Sequence, residues 1–110
     1  MRTGTLSEDV RIAMQRLRED PTLPTAALGK AAHVTCRTLA KHFREQVGAP
    51  LVEYRNRVRV ERFLGLVERG GGNLLEAALA AGFGSYAQFH RVFRHLLGVT
   101  PKEYVTGRER

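Results

Sequence analysis

Apolar positions recur every three or four residues along this chain and show no sustained alternation, so the pattern predicts helices throughout and no hairpin. In "TLSEDVRIAMQRLRED", Val10, Met14 and Leu17 form one stripe, Thr5 and Glu8 have capping-box spacing, and Pro21 and Pro24 end the helix. A short Ala-rich helix is expected over about 25–32, then a longer one from about Cys36 to Val47 that stops at Gly48. Pro50 reads as a first-turn proline opening a helix over about 51–69, ended by "GGG" at 70–72. Asn73 can cap a helix over about 74–81 that ends at Gly82. Another helix runs up to Gly98, and Pro101 begins a last short one through about Thr106.

Two of these segments are copies of one another. "TLAKHFREQVGAPLVEY" (38–54) aligns without a gap on "QFHRVFRHLLGVTPKEY" (88–104). Leu39 falls on Phe89, Lys41 on Arg91, Phe43 on Phe93, Arg44 on Arg94 and Gly48 on Gly98. Upstream, Ala32 and Val34 match Ala81 and Phe83 if the second turn is one residue longer. Each copy reads short helix, tight turn, longer helix: a helix-turn-helix, twice. Gly82 can take positive φ without steric cost, and His33 stands in the equivalent place as a strained turn residue rather than a ligand.

At 100° per residue the longer helix of each copy separates into two faces. Leu39, Phe43 and Val47 share the inner side of the first, opposite Arg37, Lys41 and Arg44. In the second, Phe89, Val92, Phe93, Leu96 and Leu97 lie inward, while Ala87, Arg91, Arg94 and His95 lie outward with Gln88 at their edge. Leu39, Phe43, Phe89 and Phe93 are thus the expected core of the two readers. A DNA major groove accepts one helix, and its base edges are read bidentately by Arg or Lys at guanine and by Gln or Asn at adenine.

The helix between the copies has no single apolar face. Leu51, Tyr54 and Val58 cluster on one side near its start, Val60, Phe63, Leu64 and Val67 on another nearer its end, and Arg55, Arg59 and Arg62 on a third arc. Such a helix can pack first on one module and then on the other. At 1.5 Å per residue it spans about 28 Å, close to the ~34 Å between successive major grooves on one side of DNA. The expected architecture is all-α: seven helices in two helix-turn-helix subdomains (1–49 and 73–110) joined by a long central linker helix (50–72), one DNA-binding domain overall.

Charge agrees with a polyanionic partner. Eighteen Lys and Arg against eleven Asp and Glu give a net +7 and a pI near 10.5, and no acid occurs from Ala77 to Lys102. No apolar run approaches membrane-spanning length, no secretory signal opens the chain, and the single Cys36 forms neither an internal disulfide nor a metal site. A reducing, cytoplasmic and nucleoid-associated setting with no membrane partner is expected.

"ALAAGFGSYAQFHRVFRHLLGVTPKEY", together with "LAKHFREQVGAPLVEYRNRVRVERF", resembles the DNA-binding domain of the AraC/XylS family of bacterial transcription regulators over about residues 7–106. The resemblance implies double-stranded DNA as partner, activation of transcription through RNA polymerase, and base-facing positions at Arg37, Ala40 and Lys41 in the first reader. In the second these fall on Tyr86, Ala87, Gln88 and Arg91. Arg44, Arg94, Thr35 and Ser85 are the expected phosphate contacts, and Ala40 offers only apolar contact, as with a thymine methyl. The helical wheel independently favours Arg37, Lys41, Gln88 and Arg91.

Three positions depart from the family pattern. Gly29 stands where Ala is preferred, at an expected cost of about 1 kcal/mol in a helix interior. Phe63 replaces a small residue, and Cys36 stands where Pro or a polar residue is common. Most members also carry a sensing or dimerisation domain ahead of this one. A monomer with no effector site, cofactor or metal is therefore expected for these residues.

An enzyme needs a constellation of reactive groups, and none is apparent. His33, His42, His90 and His95 are scattered, and there is no CxxC, paired carboxylate or glycine-rich phosphate loop. Cys36 at a helix start beside Arg37 is a setting that lowers a thiol pKa, although an inert thiol is the commoner case. The remaining alternative is a helix-turn-helix-derived interaction module that docks on RNA polymerase or another regulator without specific DNA binding.

Overall fold

The computed structural model describes residues 6–70 and 73–108. Among them are seven helices and no strand: α1 (Glu8–Glu19), α2 (Thr25–Ala32), α3 (Cys36–Val47), α4 (Leu51–Glu68), α5 (Leu74–Ala80), α6 (Tyr86–Leu97) and α7 (Pro101–Arg108). Local chemistry sets most of these limits. Gly48 and Gly98 end α3 and α6 in the left-handed region, at φ 90° and 78°, and each donates its N–H back to the arginine four residues earlier. Asn73 and Glu76 form a reciprocal capping box on α5. Thr100 and Glu103 exchange the same pair of bonds at the start of α7.

The start of α1 differs from expectation. Thr5 lies outside the described residues, and Ser7 occupies the N-cap with no side-chain bond to the helix backbone, its hydroxyl being donated to Asp9.

The chain divides into two compact units, one up to Val58 and one from Arg59. In the first, Val10, Ala13 and Leu17 of α1 meet Leu28 of α2, Leu39 and Phe43 of α3 and Leu51 of α4, all buried. In the second, Val60 and Phe63 of α4 meet Ala77, Ala78 and Ala81, with Phe83, Phe89 and Phe93. Each such large side chain contributes about 1.5–3 kcal/mol by leaving water. The missing single stripe of α4 is thereby explained: its early apolar residues belong to one core and its later ones to the other.

Phe63 is fully buried, 4.4 Å from the ring of Phe89 and 5.6 Å from that of Phe93, so it fills the second core. Two residues assigned to the inner faces are not buried. Val47 is 36% and Leu97 40% exposed, because each is the last helical residue before its glycine and lies past the end of its core. The arginine arc of α4 is partly covered. Arg59 is buried, and half-buried Arg55 donates to Thr25 Oγ1 at 3.2 Å.

Candidate nucleic-acid interface

The two turns that present the long helices share one hydrogen-bonding scheme. In the first, the N–H of His33 reaches Lys30 O and that of Val34 reaches Gly29 O, at 3.2 and 3.0 Å. In the second, Gly82 reaches Leu79 O and Phe83 reaches Ala78 O, at 3.0 and 3.2 Å. His33 is left-handed (φ 60°, ψ 37°), as its place opposite Gly82 (φ 112°) requires. Gly84 supplies the extra residue of the second turn.

Thr35 and Ser85 then cap the two long helices. Their hydroxyl oxygens accept the N–H of Thr38 and of Gln88, each at 3.1 Å. Both are exposed, at the positive ends of α3 and α6. The same two hydroxyls are the sequence-based candidates for phosphate contact.

On α3 the structure places Arg37, Ala40, Lys41 and Arg44 together on one exposed face, opposite buried Leu39 and Phe43. On α6, Ala87, Arg91, Arg94 and His95 are exposed opposite buried Phe89 and Phe93. Among the described residues Arg37, Lys41, Arg44 and Arg91 form no ion pair. Their charges are therefore available to an anionic partner. Arg94 faces partly toward an acid: the Glu103 carboxyl is held below its usual value by the backbone N–H and side chain of Thr100, with Arg94 and His90 adding to the effect.

Two of the candidate readers sit differently from the rest. Gln88 is half-buried, and its Oε1 accepts the N–H of Gly84 at 2.8 Å, which leaves its amide NH₂ to donate. Tyr86 is half-buried with its ring 5.4 Å from Phe89 and 6.2 Å from His90, so it leans on the second core. Cys36 is exposed at the first position of α3. Among the described residues no group of three or more His, Cys, Asp or Glu could hold a metal ion, and no helix is long and apolar enough to cross a membrane.

A family profile described as "Helix-turn-helix domain" matches residues 28–107, spanning both turns and both exposed basic faces. The chain belongs to this AraC-type helix-turn-helix family. Its members are DNA-binding transcription regulators rather than enzymes. Among relatives, a "Putative AraC-like transcription regulator" of Streptomyces antibioticus is 33% identical over 92% of this chain and 34% of its own length. A protein of the same description from Streptomyces lividans is 32% identical over the same shares. The "HTH-type transcriptional regulator MtrA" of Neisseria gonorrhoeae is 30% identical over 67% of this chain and 25% of its own length. The chain thus spans about a third of the length of the first curated relatives it matches.

Two solved structures share the fold. The C-terminal domain of AraT, a response regulator from Geobacillus stearothermophilus, matches with a TM-score of 0.83 and 22% identity over 97% of this chain and 89% of that one. A protein of unknown function from Listeria innocua matches with a TM-score of 0.81 and 25% identity over 89% of this chain and 95% of that one.

Residues missing from the sequence-based site are Ser7, Asp9, His42 and Gln46. They join α1 to the first reader helix through hydrogen bonds spanning up to 39 positions, a link with no local signature.

Proposed function

We propose that the chain reads double-stranded DNA by sequence, with α3 and α6 each placed in a major groove. Arg37 and Lys41 in the first helix, and Gln88 and Arg91 in the second, make the base contacts. Ala40 and Ala87 admit close approach, Tyr86 borders the second contact, and Arg44, Arg94, Thr35 and Ser85 hold phosphates. The observation that carries this reading is the recurrence, on two helices with the same caps and turns, of an exposed basic face on which Arg37, Lys41, Arg44 and Arg91 form no ion pair among the described residues. Bidentate donors on an exposed helix face are what major-groove edges require. The resemblance to the AraC/XylS family favours activation through contact with RNA polymerase, for which in vitro transcription with and without the protein is the direct assay.

Selection of bound duplexes from a random pool, at low and near-physiological salt, tests the reading. Two short boxes about one helical turn apart are expected if both helices engage. A single box would restrict reading to one helix. Absence of enrichment from a folded protein would overturn the proposal in favour of a protein-docking module.

A further inference from the structure

The first module contains a half-buried polar clasp where its duplicate has an apolar seam. The carboxylate of Asp9 is only 8% exposed and accepts three hydrogen bonds: from the Ser7 hydroxyl, from the Val10 N–H at 2.9 Å, and from His42 Nδ1 at 2.7 Å. Because an ionised carboxylate only accepts, Nδ1 carries the proton of that last bond. One turn further along α3, Gln46 Oε1 accepts the Ser7 N–H at 2.8 Å, and its Nε2 donates to Ser7 Oγ at 2.8 Å. In the gapless alignment of the copies, His42 falls on Val92 and Gln46 on Leu96. Both of these pack against the second core. A module of this design therefore folds with an apolar seam at these positions, and the polar groups of the first module are an addition to it.

Their place on the helix says what the addition does. At 100° per residue, Gln46 lies about 180° from Arg37 and His42 about 140° from it, so the clasp holds the flank opposite the reader. Packing of Leu39 and Phe43 seats the inner face of the helix on its core, and the bonds to His42 and Gln46 add an angular restraint on its flank. Hydrogen bonds are directional, weakening steeply as their angles close. A roll of about 20° on a helix of about 5–6 Å outer radius moves a side-chain tip by about 2 Å, enough to lose a bidentate contact with a base edge.

We infer that Asp9 is a positioning residue for DNA recognition: through His42, and through Ser7 to Gln46, it sets the roll of α3 that aims Arg37 and Lys41 at base edges. Specificity in the first half of the operator then depends on Asp9, while the second half does not. This rests on the DNA-reading proposal above.

The test measures binding of the full chain to a selected duplex and to single-base substitutions in each box, the boxes being assigned to their readers by Lys41→Ala and Arg91→Ala. Asp9→Ala should lose about tenfold in base discrimination at the first box and nothing at the second. His42→Val, which installs the residue of the duplicate module, should do the same if Asp9→Ala folds poorly. His42→Asn keeps a donor at the place of Nδ1 and should restore discrimination. A nitrogen-coupled proton resonance from His42 Nδ1, slow to exchange in the wild type and absent from Asp9→Ala, would mark the bond directly.

Unchanged first-box discrimination in folded Asp9→Ala or His42→Val would overturn the inference and leave the DNA reading standing. Equal losses at both boxes would overturn it too, since they signal a general loss of stability. A wild-type protein that selects no sequence would remove the DNA reading itself and the inference with it.

Discussion

The carbonyl oxygen of Val34 lies 2.9 Å from the point where a Cβ on Gly29 would stand, with Cys36 N at 3.5 Å from the same point. The contact belongs to the shorter of the two turns. Ala78 occupies the matching place in the second module, where Gly84 lengthens the turn by one residue. Glycine at position 29 is thus a requirement of this turn and not a helix defect, a reversal of what propensity alone suggests. Gly29→Ala should destabilise the protein by about 1–2 kcal/mol, the cost of displacing backbone exceeding the gain in helix propensity. Gly65 inside α4 is the control: a Cβ there meets only the Arg69 guanidinium, at 3.6 Å. Gly65→Ala should stabilise by about 0.5–1 kcal/mol, and urea melts of the two variants should move in opposite directions.

His33 holds a left-handed conformation in which a side chain is strained. Its own side chain is exposed, so little packing is lost on removing it. His33→Gly should raise stability by about 1 kcal/mol, as relief of the strain outweighs the greater freedom of glycine in the unfolded chain. Thermal melts should show a higher midpoint.

Phe93 is fully buried, with Phe63, Phe89 and Tyr104 at centroid distances of 5.6, 5.5 and 5.8 Å. Phe93→Ala should cost about 3–5 kcal/mol as a cavity-forming truncation. A melting curve like that of the wild type would show that the buried face of α6 is wrongly assigned.

Arg91 and Arg94 stand one turn apart in the same exposed face and should separate by role. Arg91→Ala is expected to lose about 1–3 kcal/mol of discrimination at one operator position. Arg94→Ala should weaken binding to all sequences alike and make the salt slope shallower by about one. If about eight phosphates are neutralised by the whole protein, log K against log salt should slope near −7. Titrations at several salt concentrations on matched and mismatched duplexes distinguish the two variants.

Burial tends to raise the Asp9 carboxyl, yet the hydrogen bonds from Ser7, His42 and Val10, with the His42 charge, hold it below its ordinary value of 3.8. A folded-state value below the unfolded one adds stability that is fully present above the unfolded value. That stability is lost as pH falls through about 4 toward the folded value. Wild-type stability should therefore decline across this acid limb on account of Asp9. Asp9→Asn should lack that part of the decline, measurable as unfolding free energy at pH 7, 5 and 3.

Much of this was legible from the residues alone, because helices are stated locally. Asn73 with Glu76, Pro101 after Gly98, and the glycines at 48 and 98 act through bonds to neighbours within four positions. Apolar residues at helical spacing separated the buried faces of α3 and α6 from the basic ones, and the repeated spacing exposed the duplication. The helical wheel singled out Arg37, Lys41, Gln88 and Arg91, while the family and the other candidate readers came from the resemblance of the duplicated segments to the AraC/XylS domain.

What escaped the sequence depends on where the chain returns in space. Val47 and Leu97 continue an apolar stripe but outrun the core beneath it. Gly29 is decided by a carbonyl five residues on, whose approach follows from the length of the turn. Asp9 and His42, 33 positions apart, meet because α1 packs against α3, and no periodicity connects them. Short-range hydrogen bonding and hydrophobic period are written residue by residue; the partners of polar side chains and the reach of a core are set only when distant segments come into contact.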